Sequence, residues 1–402
     1  MDLLAGVHVI SFNHFLLGPV GTQVIADLGA DVICVEPVEG GYQRHWSAAN
    51  RKLDGESLLQ ICGNRNKRSL AVNIKTPEGL SIVKKLVAQA DVVSENFRPG
   101  VMDKLGLGYE AIREINPSVV YAAASGYGQD GPYRDRPGQD LLIQALSGLA
   151  NITGSEDQPP TPVGVSAADH HGAMILAMAI LAALLRRERT GQGGRVDVDL
   201  LSAGLDLQME TLVCYANGPP VSQRAAPNLG GWHYQAPYGI YEVSDGHVAI
   251  SLGPMKSLAN ALSLPALTDF EVDDTFTHRR EIAASVQGAV REMTVECLCD
   301  RLDAENIWNA PVNDYAKVLE DPQVRYNGSL LKIESTHGSP MTLLAHPAKY
   351  DGKRPGVRLP PQLLGAQSEE ILGELGYTHD EVMKLAELGV IRVADKSTAT
   401  IE

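Results

Sequence analysis

Residues 7–36 read VHVISFNHFLLGPVGTQVIADLGADVICVE. Val7–Ser11 predicts a strand, and the turn through Gly18-Pro19-Val20-Gly21 opens a helix that runs to about Leu28. Gly29 ends that helix, and Asp31–Glu36 predicts a second strand. Outward from this βαβ unit the alternation continues. A helix around Gly79–Gln89 leads to a strand at Asp91–Ser94, and further strands are expected at Val119–Ser125 and Arg195–Leu200. Alternating strands and helices predict an α/β fold with a parallel sheet covered on both faces. Glu36 at the end of the second strand invites a dinucleotide reading, but no G-x-G-x-x-G follows the first strand, so NAD is not expected.

The texture changes after residue 215. Pro219, Pro220, Pro227 and Pro237 mark a long connection, and a hairpin is expected from Tyr238–Tyr241 and His247–Leu252 around Ser244-Asp245-Gly246. Helical segments follow to about Ala304, and a helix pair is expected at Ser368–Leu375 and Asp380–Leu388 with Gly376 between them. The domains are placed at 1–200 (large), 201–224 (linker), 225–325 (a small α+β domain) and 326–402 (a linker and a C-terminal part of the large domain). A chain of 402 residues suits one large and one smaller domain. With 44% hydrophobic and 21% charged residues the composition is that of a globular protein. The net charge of −15 argues against nucleic acid or an anionic membrane as main partner. The five cysteines are odd in number and read as reduced core thiols of a cytoplasmic protein. The start, MDLLAG, has no basic segment of the secretory kind.

Asp169 stands in VGVSAADHH (163–171), directly before the apolar stretch 172–185. That stretch predicts a buried helix over 172–187, ended by the basic, glycine-rich run 186–194, and its 14 apolar residues are too few to span a bilayer. An aspartate before an apolar helix is most simply an N-cap. The same address offers unpaired N–H groups and a helix dipole that favour an ionised carboxylate, hence a nucleophile or base. Asp169-His170-His171 spells a metal-phosphoesterase motif, but the further ligands are missing and no metal is expected. No G-x-S-x-G elbow is present. Two cationic segments stand out, Asn64–Ser69 and Glu95–Gly100. The second follows a strand end, where open α/β sheets bind ligands, and its Phe97 is suited to stack on a base.

Several strings occur in order along nearly the whole chain: GADVICVE (29–36), NKRS (66–69), ENFRPG (95–100), KLGLGY (104–109), SGYGQDGP (125–132), RTGQG (189–193), APY (236–238) with Asp245-Gly246, and LGELGY (372–377). Together they resemble the class III CoA-transferase family, which includes carnitine CoA-transferase, formyl-CoA transferase and the α-methylacyl-CoA racemases. The resemblance implies a Rossmann-like large domain built from both chain ends, a small α+β domain and an interlocked homodimer. It implies no permanent cofactor, with coenzyme A thioesters and small carboxylic acids as substrates. It places the nucleophile on Asp169. Asn66, Lys67, Asn96, Phe97, Arg98 and Lys104 would meet the CoA nucleotide, and Gln139 and Asp140 would meet the pantetheine arm. Backbone N–H groups near the helix start or at Gly230-Gly231 would stabilise an oxyanion.

The racemases of this family carry a histidine where this chain has Gln139, and an amide cannot shuttle protons, so transfer is expected over racemisation. His170 and His171 are expected to orient or pack around Asp169, the alternative being that one of them replaces the missing histidine. A non-catalytic CoA-binding protein is the third reading. Leu16-Leu17 before Gly18-Pro19, Glu36-Pro37-Val38 after the second strand and the short loop Asn228–Trp232 depart from formyl-CoA transferases, so their formate/oxalate specificity is not expected, while small dicarboxylic acids as a class stay open. The loop Asn228–Gln235, with Gly230, Gly231, Trp232 and His233, is expected to shape the acyl pocket, and Arg44 or His45 to lie near an acceptor carboxylate.

Overall fold

The computed structural model describes residues 2–218, 223–271 and 274–394. Pro219 and Pro220 of the expected connection lie outside them. The chain forms two compact units, one of Met1–Ile143, Ser166–Leu207 and Gln323–Glu402, the other of Gln144–Val165 and Gln208–Pro322. The first unit thus includes residues from both ends of the chain. Segment 144–165 belongs with the second unit, whereas the sequence grouped it with the large domain. It is tied there by the Ser155–Ala225 bridge and the Glu156–Arg280 ion pair.

The first unit is built on a seven-stranded sheet of β1 (His8–Phe12), β2 (Asp31–Glu36), β3 (Lys67–Val72), β4 (Val92–Glu95), β5 (Val120–Ser125), β6 (Gly194–Asp199) and β7 (Ile391–Arg392), in the order β7-β3-β2-β1-β4-β5-β6. All pairs are parallel except β7 on β3. The expected alternation is present, with two strands more, β3 and β7. Lys67, Arg68 and Ser69, which close the cationic segment Asn64–Ser69, instead open β3, and Leu70, Ala71 and Val72 are buried inside the sheet. The three polar residues Lys67-Arg68-Ser69 hide the strand in the sequence, because interior partners compensate their burial.

Both faces of the sheet are apolar, as a parallel sheet requires. Ile10, Ile33, Leu70, Val93 and Tyr121 face one cluster, which includes Ile82 and Val83 of helix α2 (Pro77–Ala88). Val9, Val32, Val92 and Val120 face the other, with helix α1 (Leu17–Asp27) and a long helix over Ala167–Thr190. The expected turn at Gly18–Gly21 is the first turn of α1. Its glycines serve helix packing: a Cβ on Gly21 would lie 3.0 Å from the Ala173 carbonyl, and one on Gly172 only 2.7 Å from Leu17 Cδ1. The long helix has 24 residues, and by length and composition it could cross a bilayer, contrary to the 14-residue reading. Its Leu176, Ile180 and Leu184 are buried, each contributing ~1.5–3 kcal/mol on transfer from water. Gly191 in the left-handed region ends it.

The second unit carries an antiparallel sheet of Gly239–Val243, Gly246–Ile250 and Asn309–Pro311. Helices Met255–Leu262, Arg279–Val290 and Val295–Ala304 form its core. All five cysteines are free, but Cys62, Cys214 and Cys297 are exposed rather than in a core.

Candidate active site

Strand order decides where a ligand can enter. After β1 the chain turns to the face that holds α1, whereas after β4 it turns to the opposite face, where Met102, Leu107 and Ile112 pack. The two loops part at the carboxyl ends of adjacent strands, which opens a crevice in sheets of this kind. Asn96 joins the two loops: its Oδ1 accepts from His14 N and its Nδ2 donates to His14 O, both at 2.8 Å. The His14 ring lies 5.1 Å from that of Phe97 and 5.0 Å from that of Phe15. Burial lowers His14 to about 4, so the imidazole is neutral, and its buried Nδ1 has no partner. Beneath them Glu95 accepts from Phe97 N (2.8 Å) and is pushed up to about 7 by burial. Sequence reasoning missed His14 and Glu95. The signal available was position alone, each standing at or just past the end of a central strand.

The long helix feeds β6, a parallel strand, so it runs against the sheet and its first turn lies at the same edge of the sheet. Asp169 is in that turn. Asp140, which opens helix α3 (Asp140–Leu146), accepts from Ala168 N (2.8 Å) and Asp169 N (3.1 Å) through one oxygen, Oδ1. The cap is therefore supplied by Asp140 and not by Asp169. This also corrects the expected charge state. Two N–H groups of the helix start are engaged by Asp140, and they are not open to an oxyanion. Among the described residues none donates a hydrogen bond to the Asp169 carboxyl, and burial, with the Asp140 charge adding to it, pushes Asp169 up to about 7. Asp169 is thus a half-ionised, poorly solvated carboxyl at neutral pH. Such a group combines the basicity of a good nucleophile with a usable population of the anion.

Asp140→Asn keeps an oxygen for the two N–H groups but removes the charge. The acid limb of kcat/KM, expected near pH 7 in the native chain, should move down by roughly one pH unit. A pH–rate profile with an unmoved limb would show that the two carboxyls do not interact.

The loop 126–138 is pinched where it begins and ends: a Cβ on Gly138 would lie 2.5 Å from Gly126 Cα. The pinch delivers Gln139, exposed, and Asp140 to the helix start. Arg98 and Lys104 are exposed, and the Arg134 guanidinium lies against Gly100. Asn96, Phe97 and Arg98 are thus brought together with His14, and Gln139 and Asp140 with Asp169.

Asn66 and Lys67 are not placed as expected. Lys67 pairs with Val32 at the level of Val9, three residues below Phe12, which is roughly 10 Å from the carboxyl edge. It is 2% exposed, and its Nζ donates to Pro19 O (2.7 Å), Gly63 O (2.8 Å) and Asn64 Oδ1 (3.1 Å), which uses all three donors. Asn66 donates to Asp27 and Gly356 O, and accepts from Arg358 N and Leu359 N. Both side chains hold the interior together. Arg44 is likewise engaged, with Glu36 (two bonds of 2.7 Å) and Glu56 (3.1 Å), and His45 bonds Glu39 O. His171 is fixed by Asp206 at 2.7 Å, and His170 is exposed. Gly230, Gly231, Trp232 and His233 stand in the second unit, where Gly230 N donates to Tyr238 O.

The sequence pattern of CoA-transferase family III matches residues 4–368. Succinyl-CoA:glutarate CoA-transferase of Mus musculus is 34% identical over 402 residues, 97% of this chain and 91% of that protein. The succinyl-CoA–L-malate CoA-transferase beta subunit of Chloroflexus aurantiacus is 32% identical over 96% of this chain and 98% of its own length. The crystal structure of a CAIB/BAIF family protein from Brucella suis superposes with a TM-score of 0.80 at 32% identity, covering 93% of this chain and 99% of that one.

Proposed function

As the chain belongs to CoA-transferase family III and is a CoA-transferase, we propose that it moves CoA from an acyl-CoA donor, succinyl-CoA or acetyl-CoA, to a small dicarboxylic acid through covalent intermediates on Asp169. The observation that carries this reading is the elevated, unbonded carboxyl of Asp169 at the carboxyl edge of the sheet.

An Asp169 oxygen attacks the thioester carbonyl and the C–S bond breaks, leaving a mixed aspartyl anhydride and CoA thiolate. The thiolate attacks Cγ of Asp169, the anhydride C–O bond breaks, the donor acid leaves as its carboxylate and an aspartyl-CoA thioester remains. The acceptor carboxylate attacks the same Cγ and expels the thiolate. The thiolate then takes the acceptor's acyl carbon and frees Asp169. No net proton is gained or lost, so the glutamine at 139 is no obstacle. Half-ionised Asp169 supplies the anion, and the absence of hydrogen bonds to it keeps the anion reactive. Asn96, Phe97, Arg98 and Lys104 would receive the nucleotide, with the two exposed cations on its phosphates. The glutarate and L-malate relatives support a dicarboxylic acceptor and succinyl-CoA as donor.

The homodimer is part of the same reading. Met174, Met178 and Leu185 share one exposed face of the long helix, Met178 being 63% exposed, and an apolar face of this kind suits a partner subunit. Light scattering giving the mass of two chains would support it; a single-chain mass would refute it.

Mass spectrometry of a reaction with succinyl-CoA and a panel of carboxylic acids tests the function. New acyl-CoA products dependent on the added acid are expected. Deuterium entering the α-carbon from heavy water without any acid would point to the racemase reading. Binding of acyl-CoA without exchange would point to a binding protein.

A further inference from the structure

The steps above give no task to Glu95, although its carboxyl is buried at the end of a central strand. Glu95 is 6% exposed and is the last residue of β4, between Phe12 of β1 and Ala123 of β5. An acid this buried is almost always paired with a cation. Glu95 is not balanced in this way: Arg195 and Asp197 of β6 act on it with opposite signs, and they pair with each other at 2.8 Å. Burial therefore leaves the carboxyl half neutral near pH 7. What it offers in either charge state is an oxygen.

That oxygen has one short bond. Oε2 accepts from Phe97 N, two residues on, at 2.8 Å. A side chain that takes the N–H two residues ahead closes the backbone into a turn, as aspartate and asparagine do in Asx turns. Here the turn carries the chain off the end of β4. Asn96, between the two bonded residues, is presented to the loop after β1, where it bonds both His14 N and His14 O. The Phe97 ring, partly buried against the core of the first unit, lies 5.1 Å from that of His14. On the other side the Tyr121 hydroxyl is 3.5 Å from Oε1, and the Tyr121 ring rests against that of Tyr109 at 5.8 Å. The residues that follow the turn are Arg98 and, after Pro99-Gly100, the short helix Val101–Lys104.

A loop that must first be ordered loses affinity for its ligand. A bond that holds the bound shape beforehand raises affinity without touching the ligand. We propose that Glu95 is a positioning residue: through Phe97 N it holds segment 96–104 in the shape that receives the CoA nucleotide, and it acts as a hydrogen-bond acceptor rather than as a charge. This role rests on the reading above that Asn96, Phe97, Arg98 and Lys104 receive the nucleotide.

Calorimetric titration of CoA onto the native chain, Glu95→Gln and Glu95→Met tests it. Glutamine keeps the acceptor and lacks the charge; methionine keeps the length and lacks the acceptor. Loss of one hydrogen bond is expected to weaken CoA binding about fivefold to tenfold in Glu95→Met, whereas Glu95→Gln should stay within about twofold of native. The kcat at saturating succinyl-CoA should stay within about threefold of native in both, the mark of lost binding rather than lost chemistry. Native affinity in Glu95→Met, equal weakening in both variants, or a kcat that falls along with the affinity would each overturn the role. If Glu95→Met fails to fold, hydrogen exchange decides: the Phe97 amide is expected to be protected in the native chain without CoA, and rapid exchange there would refute the turn. A native chain that binds no CoA would refute the nucleotide reading instead, and exchange at Phe97 would still report on the turn.

Discussion

Asp169→Asn should lower CoA transfer by ~10³-fold or more, because the step it removes is the formation of every covalent intermediate. The amide has the shape of the carboxyl and no charge, so Asp140 still caps the helix and the fold is expected to persist. The native chain incubated with acyl-CoA alone and then with hydroxylamine should yield a peptide mass change at Asp169, the hydroxamate of an activated carboxyl. The asparagine variant should yield none. A variant with near-native turnover would remove Asp169 from the chemistry, whatever the trapping experiment shows.

Asp27→Ala should cost about 3–5 kcal/mol of stability, the expected loss when one partner of a buried ion pair is removed and the other charge remains. Asp27 is 3% exposed and Arg65 6% exposed, and they meet at 2.6 Å. Arg65 also donates to Leu344 O at 2.6 Å, and His346 Nδ1 lies 3.5 Å from Asp27. Burial alone would raise the Asp27 carboxyl. The nearby His346 ring and the hydrogen bonds and charge of Arg65, with a further bond from Asn66, outweigh it and hold the group below its usual value of 3.8. A carboxyl lowered in the folded state stabilises at pH values above its unfolded value, and that contribution is lost as pH falls through the folded one. The difference between native and variant should therefore be full at pH 7 and shrink only below about pH 4. Denaturant titration at pH 7 and pH 3 measures it. Equal losses at both values would show that charge is not the cause.

This same cluster explains what was hidden in the sequence. Asn64-Arg65-Asn66-Lys67 looked like a phosphate-binding loop because basic residues in an acidic chain are normally found at the surface. The partners of Arg65 and Asn66 lie far away in the chain, at Asp27, Leu344, Gly356 and Leu359. No local pattern encodes a contact across that distance. The other strands of the first half were legible because apolar runs suffice to define them. Asp169 was legible as an address, an acid before an apolar helix. Its charge state was not, because it depends on burial in the folded chain and on a second carboxyl 29 positions earlier.

The return of β7 onto β3 has a consequence for how the chain is made. Ile391 pairs with Val72, so roughly 300 residues must leave the ribosome before the outer edge of β3 is covered. At about 5–20 residues per second that is roughly 15–60 s of an open, pairing-competent edge. Arg65 likewise waits for Leu344. The nascent first unit is therefore incomplete for most of its synthesis, and it closes only when the last segment threads back onto the first.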